Sequence, residues 1–163
     1  MAPKLTVAQR VLYLITAIVP VTLAGALGAW TTIPNVPHWY AGLAKPPFTP
    51  PNWVFGPAWT VLYMLMAIAF YRILSLTSKN QLRKKGLILF GGQLVLNTLW
   101  SFAFFGAHNP SLGLMIIIPL EVFIALMILC FYELDHLAGI SQLPYLCWVG
   151  FAIWLNLGVF WLN

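Results

Sequence analysis

The sequence predicts an all-α membrane protein, a bundle of five transmembrane helices in a single domain over residues 1–163. Three observations predict it. Apolar residues make up 61% of the chain and charged residues 7%, against about 25% charged in a soluble domain, too few to cover a surface in water. Residues 11–44, 46–71, 86–120 and 137–163 carry no Asp, Glu, Lys or Arg, and roughly twenty apolar residues suffice to cross a bilayer as a helix. The strict alternation of a membrane β-barrel strand, over about ten residues, is absent.

The first span is expected at 11–30, after Lys4 and Arg10. Its apolar part is longer than the core of a signal peptide and no Ala-x-Ala site closes it, so it is expected to be retained. Ala24/Gly28 and Gly25/Ala29 are small-xxx-small pairs, which permit close helix approach or leave room for a ligand. "TTIPNVPH" breaks the pattern with two prolines and opens a connection over 31–53. The second span covers 54–75, and the polar, basic "TSKNQLRKK" ends it. The third covers 86–106. "GAHNPS" reads as a turn, with Ser111 as N-cap of the fourth span at 112–132. "ELDHLAG" separates this from the fifth at 143–162. Interior Pro20 and Pro119 are expected to kink their helices, which a bundle tolerates. Cys130 and Cys147 both fall inside spans and read as small packing residues, not a disulfide.

Five spans gather Lys4, Arg10, Arg72, Lys79, Arg83, Lys84 and Lys85 on one side and leave Lys45 on the other. That bias predicts that the basic, N-terminal side faces the compartment from which insertion starts. It also accounts for the net charge of +5 without a nucleic-acid partner. An odd number of spans, with no internal repeat, does not suit a duplicated transporter.

In "GGQLVLNTLWSFAFF", Gln93, Asn97 and Trp100 share one helix face. An amide at mid-bilayer must find a partner, so Asn97 is either interhelical glue or a polar contact for a ligand. Tyr145, Trp148, Ala152 and Asn156 lie on one face of the fifth span, with small Gly150 and Ala152 leaving room beside the rings. Trp59, Tyr63 and Met66 form a stripe on the second. Such stripes serve as core or interfacial belt; three helices that each offer a ring and a polar group also describe a pocket for a flat apolar ligand. Glu121 is the ionisable residue near the middle of a span, either functional or a protonated acid bonded to a neighbouring helix. Glu133 and Asp135 fall at a membrane boundary and are expected to be solvated. His38, His108 and His136 show no metal-ligand spacing, and no catalytic motif is present.

"WYAGLAKPPFTPPNWVFGPAWTVLY", "QLVLNTLWSFAFF" and "PYLCWVGFAIWLN" together resemble, in order and over nearly the whole chain, the signature stretches of the translocator protein family, also called the tryptophan-rich sensory protein or peripheral-type benzodiazepine receptor family. The resemblance implies a five-helix bundle with a ligand cavity under the connection between helices one and two. Members bind protoporphyrin IX and other tetrapyrroles; animal members also bind cholesterol and synthetic isoquinoline carboxamide and benzodiazepine ligands. Carried over by motif, the pocket is lined by Tyr40, Pro50, Trp59, Asn97, Trp100, Trp148 and Ala152. In some bacterial members light-dependent porphyrin degradation is attributed to two pocket tryptophans, which match Trp59 and Trp148. The resemblance further implies a homodimer through helix three near Gly91 and Gly92, and an outer membrane, bacterial or mitochondrial.

The family often has Trp where this chain has Phe48. The cholesterol-recognition pattern of animal members needs a basic residue at the end of helix five, and "LNLGVFWLN" has none, which speaks against a sterol there. The expected function is therefore a membrane receptor or carrier for tetrapyrroles, with no required cofactor or metal. Light-dependent porphyrin degradation and small-molecule transport are the alternatives. The prolines of 45–57 fix φ and remove donors, so this segment is expected to lie over the pocket as a lid. Lys45 is placed to meet a porphyrin propionate.

Overall fold

The structure, a computed structural model, describes residues 5–77 and 80–163; Lys4 and Lys79 of the charge argument lie outside them. Among the described residues five helices are long and apolar enough to cross a membrane. α1 (Val7–Asn35) continues through a π turn at Val36–Tyr40. A short 3-10 turn, Asn52–Val54, leads into α2 (Phe55–Leu74). α3 (Gln81–Ser101) also ends in a π turn, Phe102–Gly106. α4 (Pro110–Leu134), the short α5 (His136–Ile140) and α6 (Leu143–Leu162) complete the chain.

Several boundaries differ from the sequence reading, each for a local reason. α1 does not stop at Trp30. It passes through Pro34 to Tyr40, so most of 31–40 is helix and only 43–51 is irregular. Side chains take over part of the backbone bonding: the Thr31 hydroxyl donates to Gly28 O (3.0 Å) and the Asn35 amide to Thr31 O (2.8 Å). A π turn then absorbs Pro37, as membrane helices allow. α3 starts five residues early because the Asn80 side chain caps it, accepting from Arg83 N at 2.8 Å. Asn109, not Ser111, caps α4, accepting from Leu112 N at 3.0 Å. With Pro110 at the first helical position, whose missing N–H would be an orphan anyway, the cap falls one residue before the proline. α1 and α4 run on through Pro20 and Pro119. Both cysteines are free, Cys130 buried and Cys147 exposed.

α4 packs between α3 and α6, while α1 packs on α2 and α3, and α2 touches α3 only sparsely. The α3–α4 seam is close. A Cβ on Gly92 would lie 2.5 Å from Phe123 Cε1, so Gly92 serves this contact within the chain. Gly91 faces open space.

Three polar links hold α2, two at its basic end and one near its middle. Arg83, buried, donates from Nε to Ile73 O (2.9 Å) and from Nη2 to Leu74 O (2.8 Å), closing the end of α2. Gln142 Nε2 donates to Leu65 O (2.9 Å). Arg72 forks onto Asp135, with Nη2 2.7 Å from Oδ2. Asp135, expected to be solvated, instead pairs with Arg72 and caps α5 by accepting from Ala138 N at 3.0 Å. Its partial burial works to raise the carboxyl's pKa. The Arg72 hydrogen bonds and charge, with the Ala138 and Leu137 amides, outweigh that and hold it below the ordinary value. Glu133 is exposed, in line with the sequence reading.

Candidate functional site

α1, α2, the end of α3 and α6 enclose a cavity of about 1120 Å³. Rings dominate its wall: Phe55, Trp59 and Tyr63 of α2, Trp100 and Phe105 from α3, Trp148 and Phe151 of α6. Trp59 stacks on Tyr63 at 5.6 Å and lies 6.3 Å from Trp100. Phe55 meets Trp148 edge-on at 6.1 Å. Small residues of α1, among them Gly25, Gly28 and Ala29, form the opposite wall. Rim residues Leu14, Ile18, Met64 and Ile68 are exposed, so the cavity opens at the surface of the bundle. No Asp, Glu, Lys, Arg or His lines it among the described residues.

Four of the residues expected at the pocket line this cavity: Trp59, Trp100, Trp148 and Ala152. Asn97 does not. It lies one layer behind the wall, 1% exposed, where Oδ1 accepts from the Tyr63 hydroxyl and Nδ2 donates to the Tyr145 hydroxyl, both at 2.9 Å. That is the glue alternative, and it joins α2, α3 and α6. Tyr40 is also buried beside the wall, its ring packed on Phe55 and Phe105. Met66 is core.

The cover differs from the expectation. Residues 43–51, Pro50 included, contribute nothing to the lining, whereas Asn52, Trp53, Phe55 and Gly56 do. The proline stretch rests on the end of α6. Asn163 and Ala44 exchange two hydrogen bonds of 3.0 Å, and Pro46 fills the notch over Gly158, where a Cβ would lie 2.4 Å from Pro46 Cγ. Phe48 does not pack inward: it is 91% exposed, at φ 66°. Lys45 folds back, its ammonium donating to Ala41 O (3.1 Å) and Leu43 O (3.0 Å) and lying 5.0 Å from the Tyr40 ring centre.

Two further residues differ from expectation. Gly150 faces Glu121 of α4, 3.4 Å from its would-be Cβ to Oε1, and makes no room in the cavity. Glu121 is half-buried, and its Oε2 has no hydrogen-bond partner among the described residues, so it is not bonded to a neighbouring helix through that oxygen. Trp100 is fixed from behind: its Nε1–H donates to Asn156 Oδ1 (3.1 Å), and Asn156 Nδ2 donates to Pro110 O (2.8 Å). Ser101 was missed by the sequence reading. It is buried and lines the cavity four residues after Asn97, and that spacing was the available signal.

Fold and site together define a class: a multi-pass membrane protein whose helices surround one large aromatic cavity. Residues 16–162 match the TspO/MBR family, and the chain belongs to it. It is 44% identical over 155 residues to the tryptophan-rich protein TspO of Archaeoglobus fulgidus, covering 95% of this chain and 99% of that one. The tryptophan-rich protein TspO of Chlorobaculum tepidum is 39% identical over 142 residues, 86% of this chain and 90% of its own. The translocator protein of Sus scrofa is 36% identical over 140 residues, 83% of each.

Proposed function

We propose that the protein is a membrane receptor or carrier that takes flat hydrophobic molecules, tetrapyrroles such as protoporphyrin IX among them, into the cavity between α1, α2, α3 and α6. The observation that carries this is the wall itself: indole, phenol and phenyl rings on three helices around about 1120 Å³, without a charged side chain among the described residues. Aromatic faces suit a planar guest. A porphyrin in this site keeps its propionates at the mouth, since nothing inside compensates a carboxylate. Lys45 lies beside Tyr40, whose ring meets Phe55 of the mouth. A propionate there competes with the Ala41 and Leu43 carbonyls for the ammonium. The names of the relatives, translocator and sensory protein, support a carrier or receptor role.

The test is quenching of intrinsic tryptophan fluorescence by protoporphyrin IX in the purified, detergent-solubilised protein. Ala152→Trp fills the cavity and is expected to weaken binding at least tenfold. Trp154→Phe, on the exposed face of α6, is expected to leave it unchanged. Equal affinity in the Ala152→Trp variant removes the cavity from the account.

A second reading is light-dependent porphyrin degradation. It is favoured by Trp59 and Trp148 lining one cavity from different helices. Loss of porphyrin absorbance under illumination in air should fall when both are changed to Phe; equal loss would mean bystander photochemistry. For a homodimer, the open face at Gly91 is the surface of α3 left for a second copy. We further assign the basic end to the compartment of insertion.

A further inference from the structure

We propose that the inner wall of the cavity holds a neutral hydrogen-bonding subsite, formed by the Ser101 hydroxyl and the Tyr63 oxygen over the bare Cα of Gly28, which takes a ligand group carrying a donor and an acceptor side by side, a lactam or secondary cis amide. This rests on the cavity being a ligand site and names what it selects.

Ser101 is 6% exposed and lines the cavity. Helical serines and threonines commonly return their hydroxyl to the carbonyl four residues back. Thr16, Thr60, Ser75 and Thr98 do so here. Ser101 does not, and its hydroxyl has no partner among the described residues. Among the described residues the buried polar side-chain atoms without a partner are Gln93 Nε2, Glu121 Oε2 and Gln142 Oε1; Ser101 Oγ is not one of them, so it is open to the cavity that the residue lines. A Cβ built on Gly28 would lie 3.2 Å from Ser101 Oγ and 3.9 Å from Tyr63 Oη. The two oxygens therefore flank one small vacancy that only glycine leaves open.

The direction of the bonding behind the wall sets what Tyr63 offers. Tyr145, fully buried, donates to Gln93 Oε1 at 2.8 Å. Its oxygen then accepts from Asn97 Nδ2, which turns Asn97 Oδ1 toward Tyr63. The Tyr63 hydrogen is committed to that oxygen, so toward the cavity Tyr63 presents lone pairs only. Ser101 is free to donate. A lactam satisfies both, its N–H to Tyr63 Oη and its carbonyl from Ser101 Oγ. A carboxylate meets the lone pairs of Tyr63 with no cation nearby, and is disfavoured.

The test uses three flat probes with the full-length protein in detergent, read by tryptophan quenching: phenanthridinone, N-methylphenanthridinone, which lacks the donor, and phenanthrene, which lacks both groups. Phenanthridinone is expected to bind about tenfold tighter than its N-methyl derivative. The preference should collapse to near one in Tyr63→Phe. Ser101→Ala should lower the affinity for phenanthridinone relative to phenanthrene about tenfold. Gly28→Ala, which fills the vacancy, should erase both preferences, with a melting temperature measured alongside to confirm the fold. Ratios unchanged in Ser101→Ala and Tyr63→Phe overturn the subsite while leaving the cavity standing. Quenching by none of the three probes overturns the cavity reading and the subsite with it.

Discussion

On the α3–α4–α6 side the helices meet ring against glycine and amide against backbone; on the α1–α2 side the Tyr63 ring also meets Gly25, but the two helices flank the cavity. Half of the most apolar window of the third span is buried within the protein, against 17% of the second. Lipid tails are as apolar as leucine, so helices in a bilayer gain little by hiding leucines from it, and close packing and hydrogen bonds decide where they adhere. Gly92 under Phe123, Gly113 under Asn156 and Phe104, and Asn156 bridging Trp100 to Pro110 supply that adhesion on one side. α2 is tied at its basic end through Arg72 and Arg83, and nearer its middle by Gln142 to Leu65 O and by Tyr63 to Asn97. The packed side is the scaffold that holds the Trp100, Phe105, Trp148 and Phe151 rings in the cavity wall, and the looser side lines most of the rest.

The largest expected effect is steric and falls on the packed side. A Cβ on Gly113 would lie 2.6 Å from Asn156 Oδ1, whereas one on Gly56, at the cavity mouth, meets nothing within 4 Å. Gly113→Val should cost about 3 kcal/mol, and Gly56→Ala about 0.5 kcal/mol or less, in thermal or denaturant unfolding of the detergent-solubilised protein. Comparable losses at the two sites would erase the distinction between the sides.

Next comes the polar clamp. Asn156→Ala leaves the Trp100 indole N–H without a partner and removes a side-chain bond to Pro110 O, a loss of about 2 kcal/mol. Thr60→Ala, at the cavity rim, removes a local bond to Gly56 O and should change unfolding by about 0.5 kcal/mol or less. An Asn156→Ala protein as stable as the parent would mean that the clamp contributes nothing.

The smallest effect concerns the tie of α2. Asp135 has a depressed pKa in the folded protein, so its contribution is present above the unfolded value of 3.8 and disappears as pH falls through the lower folded value. With the Arg72 side chain 38% exposed, water screening limits it to about 1 kcal/mol. Asp135→Asn should flatten this acid limb of the stability profile; an unaltered limb would assign it to other carboxylates.

The five spans were legible because a helix in lipid must be apolar along its length and close its own backbone bonds, and both are local demands. The shared face of Gln93, Asn97 and Trp100 was legible for a similar reason, since helical spacing alone aligns them, and all three are buried. Their partners were not, because Tyr63 and Tyr145 come from other helices. The stop assigned to "TTIPNVPH" failed because Thr31 and Asn35 side chains and a π turn carry the helix past the prolines. The proline cover was misplaced because its resting point, the Gly158 notch and Asn163, lies more than a hundred residues away in the chain.

By itself, the sequence determined how many times the chain crosses a membrane, where the basic residues gather and which helix faces carry amides and rings. Those follow from transfer between water and lipid and from helical periodicity, properties of each segment alone. Only the tertiary structure decided that Trp59, Trp100 and Trp148 share one cavity, that Asn97 stands behind its wall, and that Ser101 faces into it. Which face meets which neighbour is settled by close contacts between distant segments, where one missing Cβ or one amide outweighs the average apolarity of the helix.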